Sequence, residues 1–264
     1  MAVISQQSSQ APAVRTGDRW EKRLLPATLV LAGLFVITTS AFVAIERDEG
    51  LALSMGMAIR DGYLPYRDFF ENRPPALHYL LSLLFRFTTS LWPTRALVLL
   101  VNVFGAALAA RLAQELGGSM ARWWAVLFYS FAILLFHGYW LIMEPFVAAL
   151  LLLALWLHGV RRQPELAALA AVASMWFKQT AWPSAWALLV VILWQARGLR
   201  RLSILGAALS GAALPAWLFW RAGLVDPFLE QTVSANVRTA SSRWPALAEF
   251  VRGYLAFLEV KGLL

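Results

Sequence analysis

The chain contains no cysteine and few charged residues. The first absence excludes disulfides, a thiol nucleophile and any metal site built on cysteine. Asp, Glu, Lys and Arg make up 14% of the 264 residues, whereas 60% are apolar and the mean hydropathy is +0.62. A soluble globular protein is about 45–50% apolar. The apolar excess, arranged in long uncharged runs, predicts a membrane protein.

Several sequence motifs are also missing. The chain has no P-loop, no Gly-x-Gly-x-x-Gly, no His-Glu-x-x-His and no Ser-His-Asp motif, which argues against soluble nucleotide chemistry. Its net charge of +8 would suggest nucleic acid binding in a soluble protein. Here the basic residues cluster in short connections between apolar runs, so the positive-inside rule explains them. We therefore predict no nucleic acid partner.

Three apolar runs have the length of a single membrane span, for which about 20 residues are needed. They are 24–45, 96–116 and 202–220. The first is uncharged and longer than the hydrophobic region of a secretory signal, which is about 7–15 residues. It therefore predicts a retained span, and residues 1–23 before it read as a disordered cytoplasmic tail.

The run 123–160 is too long for one span and holds a single formal charge, Glu144. A helix of this length would be nearly twice as long as a membrane is thick. Both of its ends are basic, so both should be cytoplasmic and the chain should turn on the far side. The Gly and aromatic residues at 137–140 favour that turn, and Pro145 suits the first turn of the next helix.

The run 164–196 repeats this pattern. After Glu165 it holds one charge, Lys178, and it is followed by further arginines. We predict a turn at 178–180, with two short helices that either tilt strongly or form a re-entrant pair.

These turns predict the arrangement of the whole chain. If the N-terminus is cytoplasmic, the loop 46–93, the Glu144 turn and the Lys178 turn share the extracytoplasmic side. The fold class is then an all-α polytopic membrane protein of about seven or eight transmembrane helices, forming one domain over 24–264. We further expect interfacial helices at 51–61 and 75–85, an outer segment at 222–247 and an amphipathic stretch at 247–264.

The loop contains a concentration of charge. Segment 46–73 holds six of the 15 acidic residues of the chain. The adjacent pair Asp48-Glu49 is suited to supply a general base and a second group that binds substrate or metal. The alternative is a polar stop to the preceding helix.

Glu144 and Lys178 are isolated charges in apolar surroundings. A Glu that reaches the membrane core costs up to about 3 kcal/mol, so such residues face cavities or partners. The alternative for Glu144 is an acid that stabilises a helix N-terminus beside Pro145. Lys178 is suited to bind an anionic head group such as a phosphate, or else it is a lysine that snorkels to the interface.

Two arginines of the loop, Arg67 and Arg73, are candidates to bind phosphate at the membrane surface. Charge balance with Asp68 and Glu71 is the simpler explanation for each arginine taken alone. His78 falls on the 75–85 helix and is interpreted as structural.

The order of these motifs resembles the polytopic GT-C glycosyltransferases, in the branch of the protein O-mannosyltransferases and the aminoarabinose transferase of lipid A. Members have a first span, an outer loop opening with Asp-Glu, a Gly-x-x-Pro-Tyr segment, a Glu-Lys-Pro-Pro-like motif and an aromatic-leucine helix. The matching segments, within a resemblance over about 24–200, are Asp48-Glu49-Gly50, Gly62-Tyr63-Leu64-Pro65-Tyr66, Glu71-Asn72-Arg73-Pro74-Pro75 and Leu77-His78-Tyr79-Leu80-Leu81.

Two features depart from the family's pattern. Asn72-Arg73 replaces the usual lysine and shifts the cation by one residue. The chain is also short, since members usually continue with more spans, so we expect a truncated or compact relative.

The resemblance implies a transferase in the inner (plasma) membrane that moves a sugar from a polyprenyl-phosphate donor, with inversion, to an extracytoplasmic glycan, lipid or protein. Asp48 would be the general base, with Glu49 beside it in the catalytic pair. Arg67, Arg73 and Lys178 would stabilise the leaving phosphate. Glu49, Glu71 and Glu144 would orient the acceptor or hold a divalent cation, if one is used.

Two other functions fit the sequence. A non-catalytic membrane module would bind the lipid carrier without turnover, and the short length favours it. A transporter would carry charges in mid-span and show repeat symmetry, whereas the charges here are at predicted turns.

Overall fold

The computed structural model describes residues 45–239, except 136, 137 and 139. The predicted tail 1–23, the stretch 247–264 and all but the last residue of the predicted span 24–45 lie outside the described residues. Within them the chain is helical, without a named strand. The α-helices are α1 Arg47–Arg60, α2 Ala76–Leu84, α3 Leu91–Leu135, α4 Glu144–Gly159, α5 Pro164–Met175, α6 Trp182–Gln195, α7 Arg200–Arg221 and α8 Val225–Leu229.

Helix α1 begins four residues before the predicted helix 51–61. Glu46 caps it, because its side chain accepts a hydrogen bond of 2.7 Å from the backbone N–H of Asp48. Asp48 and Glu49 therefore lie in the first turn of a helix, where the macrodipole favours acids. The predicted helix 75–85 is confirmed as α2, Ala76–Leu84.

Helix α3 is interrupted at Gly118, whose φ of 76° and ψ of −165° are not helical. A Cβ built on Gly105 would lie 2.0 Å from the Tyr129 hydroxyl oxygen, so these two residues are in contact. In a straight helix they would be about 36 Å apart. Asn102 also donates a hydrogen bond of 2.8 Å to the Gly138 carbonyl. In the sequence, Gly118 lies near the midpoint of both contacting pairs. Helix α3 therefore consists of two antiparallel arms, and the chain turns at Gly118.

The turn predicted at 178–180 and the helix start predicted at Glu144 are confirmed, whereas the turn predicted at 137–140 falls partly outside the described residues. Helix α4 begins at Glu144 with Pro145 in its first turn. Helix α5 ends at Met175, a 3₁₀-helix covers Gln179–Ala181, and α6 begins at Trp182 with a proline in its first turn.

The lengths of the helices limit what can cross a membrane. Helices α3 and α7 are long and apolar enough to do so. Helices α4, α5 and α6 span about 24, 18 and 21 Å from their 16, 12 and 14 residues, against a hydrocarbon core of about 30 Å. The described residues therefore do not show the seven or eight spans that the sequence predicts.

Small residues bring α4, α5 and α6 together. Ala154, Ala167, Ala171 and Ala185 are fully buried in one apolar cluster, and small side chains let helix backbones approach closely. A second cluster joins α1, α2 and α3 around the buried Leu77. Between these two clusters the N-termini of α1 and α4 meet the α5–α6 turn, and this junction positions the candidate site.

Candidate functional site: a polar cleft

A cleft of about 190 Å³ lies where four distant parts of the chain converge. We call it the polar cleft. Its charged lining residues come from the start of α1, the loop before α2, the start of α4 and the α5–α6 turn. They are Glu46, Asp48, Arg73, Glu144 and Lys178. Ala52, Leu77 and residues 140–143 complete the wall.

Asp48 and Arg73 form an ion pair in this cleft. The Arg73 Nη2 donates to Asp48 Oδ2 at 3.1 Å, and the Asp48 side chain is 48% exposed. The pairing orients the carboxylate and leaves its surface open to a ligand. The Arg73 backbone is also held in place, because its carbonyl accepts a hydrogen bond of 2.7 Å from the Tyr66 hydroxyl.

Lys178 and Glu144 form a second ion pair across the cleft. Glu144 opens α4, where the helix dipole favours an acid. Lys178 lies in extended backbone just before the 3₁₀-helix Gln179–Ala181. An ammonium has three donors, so the pair with Glu144 leaves Lys178 the capacity to bind an additional anion.

Glu49 does not line the cleft. Its side chain is 1% exposed, and Arg95 of α3 donates to its Oε2 at 3.1 Å. Burial raises the pKa of the Glu49 carboxyl, while the charge of Arg95 acts in the opposite direction. This ion pair joins the first turn of α1, which also carries Asp48, to α3.

Glu71 is also buried, with 2% of its side chain exposed, and it lies against His78. The His78 Nε2 is 3.2 Å from Glu71 Oε2, although that oxygen has no hydrogen-bond partner among the described residues. Burial raises the pKa of Glu71, and it lowers that of His78 to about 4 with help from the charge of Arg73. The other Glu71 oxygen accepts the Arg73 backbone N–H at 2.9 Å, so the pair positions Arg73.

Arg67 is not brought to the cleft. It is 56% exposed and its guanidinium pairs with the neighbouring Asp68 through contacts of 2.9 Å. This geometry agrees with the charge-balance interpretation of Arg67.

The three acids considered for a metal, Glu49, Glu71 and Glu144, each contact a different basic or imidazole side chain. Within the described part of the chain, no group of three or more His, Asp or Glu residues is placed to hold a metal ion. No step proposed below uses one.

Several residues that position the loop were not identified from the sequence. Gln179 and Asn236 donate to the Asn72 carbonyl at 3.1 and 2.9 Å. Gln231 accepts the Glu71 backbone N–H at 2.9 Å and donates to the Tyr66 carbonyl at 2.7 Å. Gln231 and Asn236 join the predicted outer segment 222–247, which the structure describes to residue 239, to the loop, and Gln179 joins the α5–α6 turn to it. An isolated Gln or Asn gives no sequence signal for such a contact.

Comparison of the chain with protein-family models, with curated proteins and with solved structures found no match.

Proposed function

We propose that the chain is a membrane glycosyltransferase that moves a sugar from a polyprenyl-phosphate donor to an extracytoplasmic acceptor hydroxyl, with inversion. The observation that carries this proposal is the convergence of Asp48, Arg73, Glu144 and Lys178 on one cleft. The cleft holds the half-exposed Asp48 carboxylate paired with Arg73 and, on the same lining, Lys178 paired with Glu144. That arrangement suits a reaction in which a hydroxyl loses a proton while a phosphate leaves.

In the proposed reaction, the Asp48 carboxylate takes the proton of the acceptor hydroxyl. The acceptor oxygen forms a bond to the anomeric carbon as the bond from that carbon to the phosphate oxygen breaks. The electron pair leaves with polyprenyl phosphate, and the transition state resembles an oxocarbenium ion, as in glycosyl transfer generally. Attack from the face opposite the phosphate inverts the anomeric carbon.

Lys178 and Arg73 are the groups proposed to stabilise the departing phosphate. Fixed cations aimed at developing negative charge are among the most effective catalytic devices in a site with little water. Glu144 holds Lys178 in place. In this proposal Glu49 and Glu71 are positioning residues, because both are buried away from the cleft surface.

An apolar groove of about 270 Å³ between α5, α6 and α7 supports a donor with a lipid tail. Met175, Trp176 and Trp182 line it and flank Lys178 in the sequence. A phosphate at Lys178 would therefore lie close to a surface suited to a hydrocarbon chain.

The membrane placement belongs to the proposal. Residues 24–264 would form one GT-C-like domain of seven or eight spans in the plasma membrane, with the N-terminus cytoplasmic. The polar cleft would face the extracytoplasmic side, because basic residues follow the opposite ends of α4 and α6.

The test uses the purified full chain in detergent with labelled polyprenyl-phosphate mannose as the first donor and an extract of extracytoplasmic glycans, lipids and proteins as the source of acceptor hydroxyls. We expect release of polyprenyl phosphate with wild-type protein. Lys178→Gln should weaken donor binding by about 10-fold or more, since a hydrogen bond to a charged group contributes about 1.5–3 kcal/mol. Arg67→Gln, whose side chain is exposed outside the cleft, is the matched control and should bind as wild type does.

Two results would count against the proposal. Tight donor binding without release from any sugar donor would favour the non-catalytic module. Equal donor binding by the Lys178→Gln and wild-type proteins would show that the polar cleft does not bind the donor.

A further inference from the structure

A second cleft, of about 320 Å³, lies at the opposite end of α4 and α6 from the polar cleft. We call it the basic cleft. Its polar lining residues are His158, Arg162, Gln195, Arg197 and Arg200. It forms where α4 and α6 end and where α5 and α7 begin. Three arginines and no carboxylate line it, so it presents concentrated positive charge.

Among residues 45–239 that the structure describes, neither Arg162 nor Arg197 pairs with a carboxylate. Arg200 is partly engaged, because its Nε contacts Glu165 at 3.3 Å and its Nη2 donates to the Arg162 carbonyl at 3.0 Å.

The backbone at Arg162 is held in an uncommon conformation. Its φ is +56°, a region that costs a non-glycine residue roughly 1–2 kcal/mol. The hydrogen bond from Arg200 to its carbonyl fixes this turn. At the ends of α4 and α6, His158 and Gln195 are joined by a contact of 3.0 Å between Nε2 and Oε1. These contacts join the Arg162 turn to α7 and the end of α4 to the end of α6, and the arginine side chains of the cleft are exposed to a ligand.

Exposed apolar side chains are neighbours in the sequence of the residues that line the basic cleft. Trp194, Leu199 and Leu202 are 79%, 82% and 65% exposed, and they flank the lining residues Gln195, Arg197 and Arg200 in the sequence. A soluble anion would leave these apolar side chains uncovered, whereas the acyl chains of a bound lipid would pack against them.

We infer that the basic cleft binds the phosphate of an anionic phospholipid headgroup at the cytoplasmic surface of the membrane. Arginine presents a planar fork of donors that matches phosphate oxygens, and basic pockets between helices on the cytoplasmic side suit anionic headgroups. This inference depends on the membrane placement proposed above and is independent of sugar transfer.

The competing explanation is that these arginines only orient the chain in the membrane. That role depends on the number of charges and not on their position in a cleft. Arg161 separates the two explanations, because it neighbours Arg162 and is also exposed, yet it lies over the Trp156 ring at 5.4 Å and outside the lining.

The test titrates detergent-purified full chain with phosphatidylglycerol, with phosphatidylcholine as the zwitterionic control, and counts bound lipid by native mass spectrometry. Wild-type protein should prefer phosphatidylglycerol. Arg162→Gln with Arg197→Gln should weaken that binding by about 10-fold or more, and Arg197→Lys should weaken it less. Arg161→Gln and Asp48→Asn should both bind phosphatidylglycerol as wild type does. The Asp48→Asn result would show that lipid binding at the basic cleft does not depend on the polar cleft.

Three outcomes would overturn the inference. The double variant could keep wild-type binding, or Arg161→Gln could lose as much binding as the double variant does. Competition by glycerol 3-phosphate at the same concentrations as the lipid would assign the cleft to a soluble anion instead.

Discussion

Asp48→Asn should reduce sugar transfer by about 10²–10⁴-fold, the range that a general base contributes. The substitution keeps the size of the side chain and its place in the first turn of α1. It removes the carboxylate that accepts the acceptor proton. Arg73 loses its charged partner but is still fixed by Tyr66 and Glu71. Donor binding should therefore change much less than turnover.

The matched control for this variant is Asp61→Asn at the other end of the same helix. Asp61 is exposed and pairs with the neighbouring Arg60 at 2.8 Å, outside the polar cleft. Transfer by this control should remain at the wild-type level. Undiminished turnover by Asp48→Asn, in protein that binds donor normally, would reject Asp48 as the base.

Arg95→Ala should lower the free energy of unfolding by about 3–5 kcal/mol, the cost of leaving one partner of a buried ion pair behind. Glu49, whose side chain is 1% exposed, would lose the guanidinium that contacts it at 3.1 Å. Because this pair joins α3 to the turn of α1 that carries Asp48, the variant should also lose sugar transfer, since Asp48 would be misplaced.

Unfolding in mixed micelles by increasing SDS measures this effect. Adding Glu49→Gln to Arg95→Ala should recover part of the lost stability, because the buried charge is then removed. Arg67→Ala is the control, and it should change stability by less than about 1 kcal/mol, as is typical of exposed pairs. A loss for Arg95→Ala no larger than that of the control would show that the buried pair does not hold these helices together.

The turns could be predicted from sequence because they follow from length and charge. A run of apolar residues longer than a membrane is thick must turn, and basic ends indicate which side the turn occupies. Length and charge predict that Glu144, Lys178 and the 46–73 segment share one side, and the structure brings Glu144 and Lys178 into the same cleft as Asp48 and Arg73.

The partners of individual charges could not be predicted in the same way. Arg95 reaches Glu49 across 46 positions, and Gln231 reaches the loop from 160 positions away. Such contacts depend on how distant helices pack against one another, and this packing leaves no periodic pattern in a single sequence. Helix α1 starts earlier than the predicted residue 51 because Glu46 caps it, and a single Glu in a charged loop does not indicate a cap.

The central claim is that the polar cleft faces outward while the basic cleft faces the cytoplasm, and single-cysteine labelling tests it most directly. The chain has no cysteine, so Thr180→Cys beside Lys178 and Gln163→Cys beside Arg162 each add a single thiol at an exposed position. We expect a membrane-impermeant maleimide to label Thr180→Cys in intact cells, and Gln163→Cys after permeabilisation only. Labelling of both variants in intact cells, or the reverse pattern, would contradict the account.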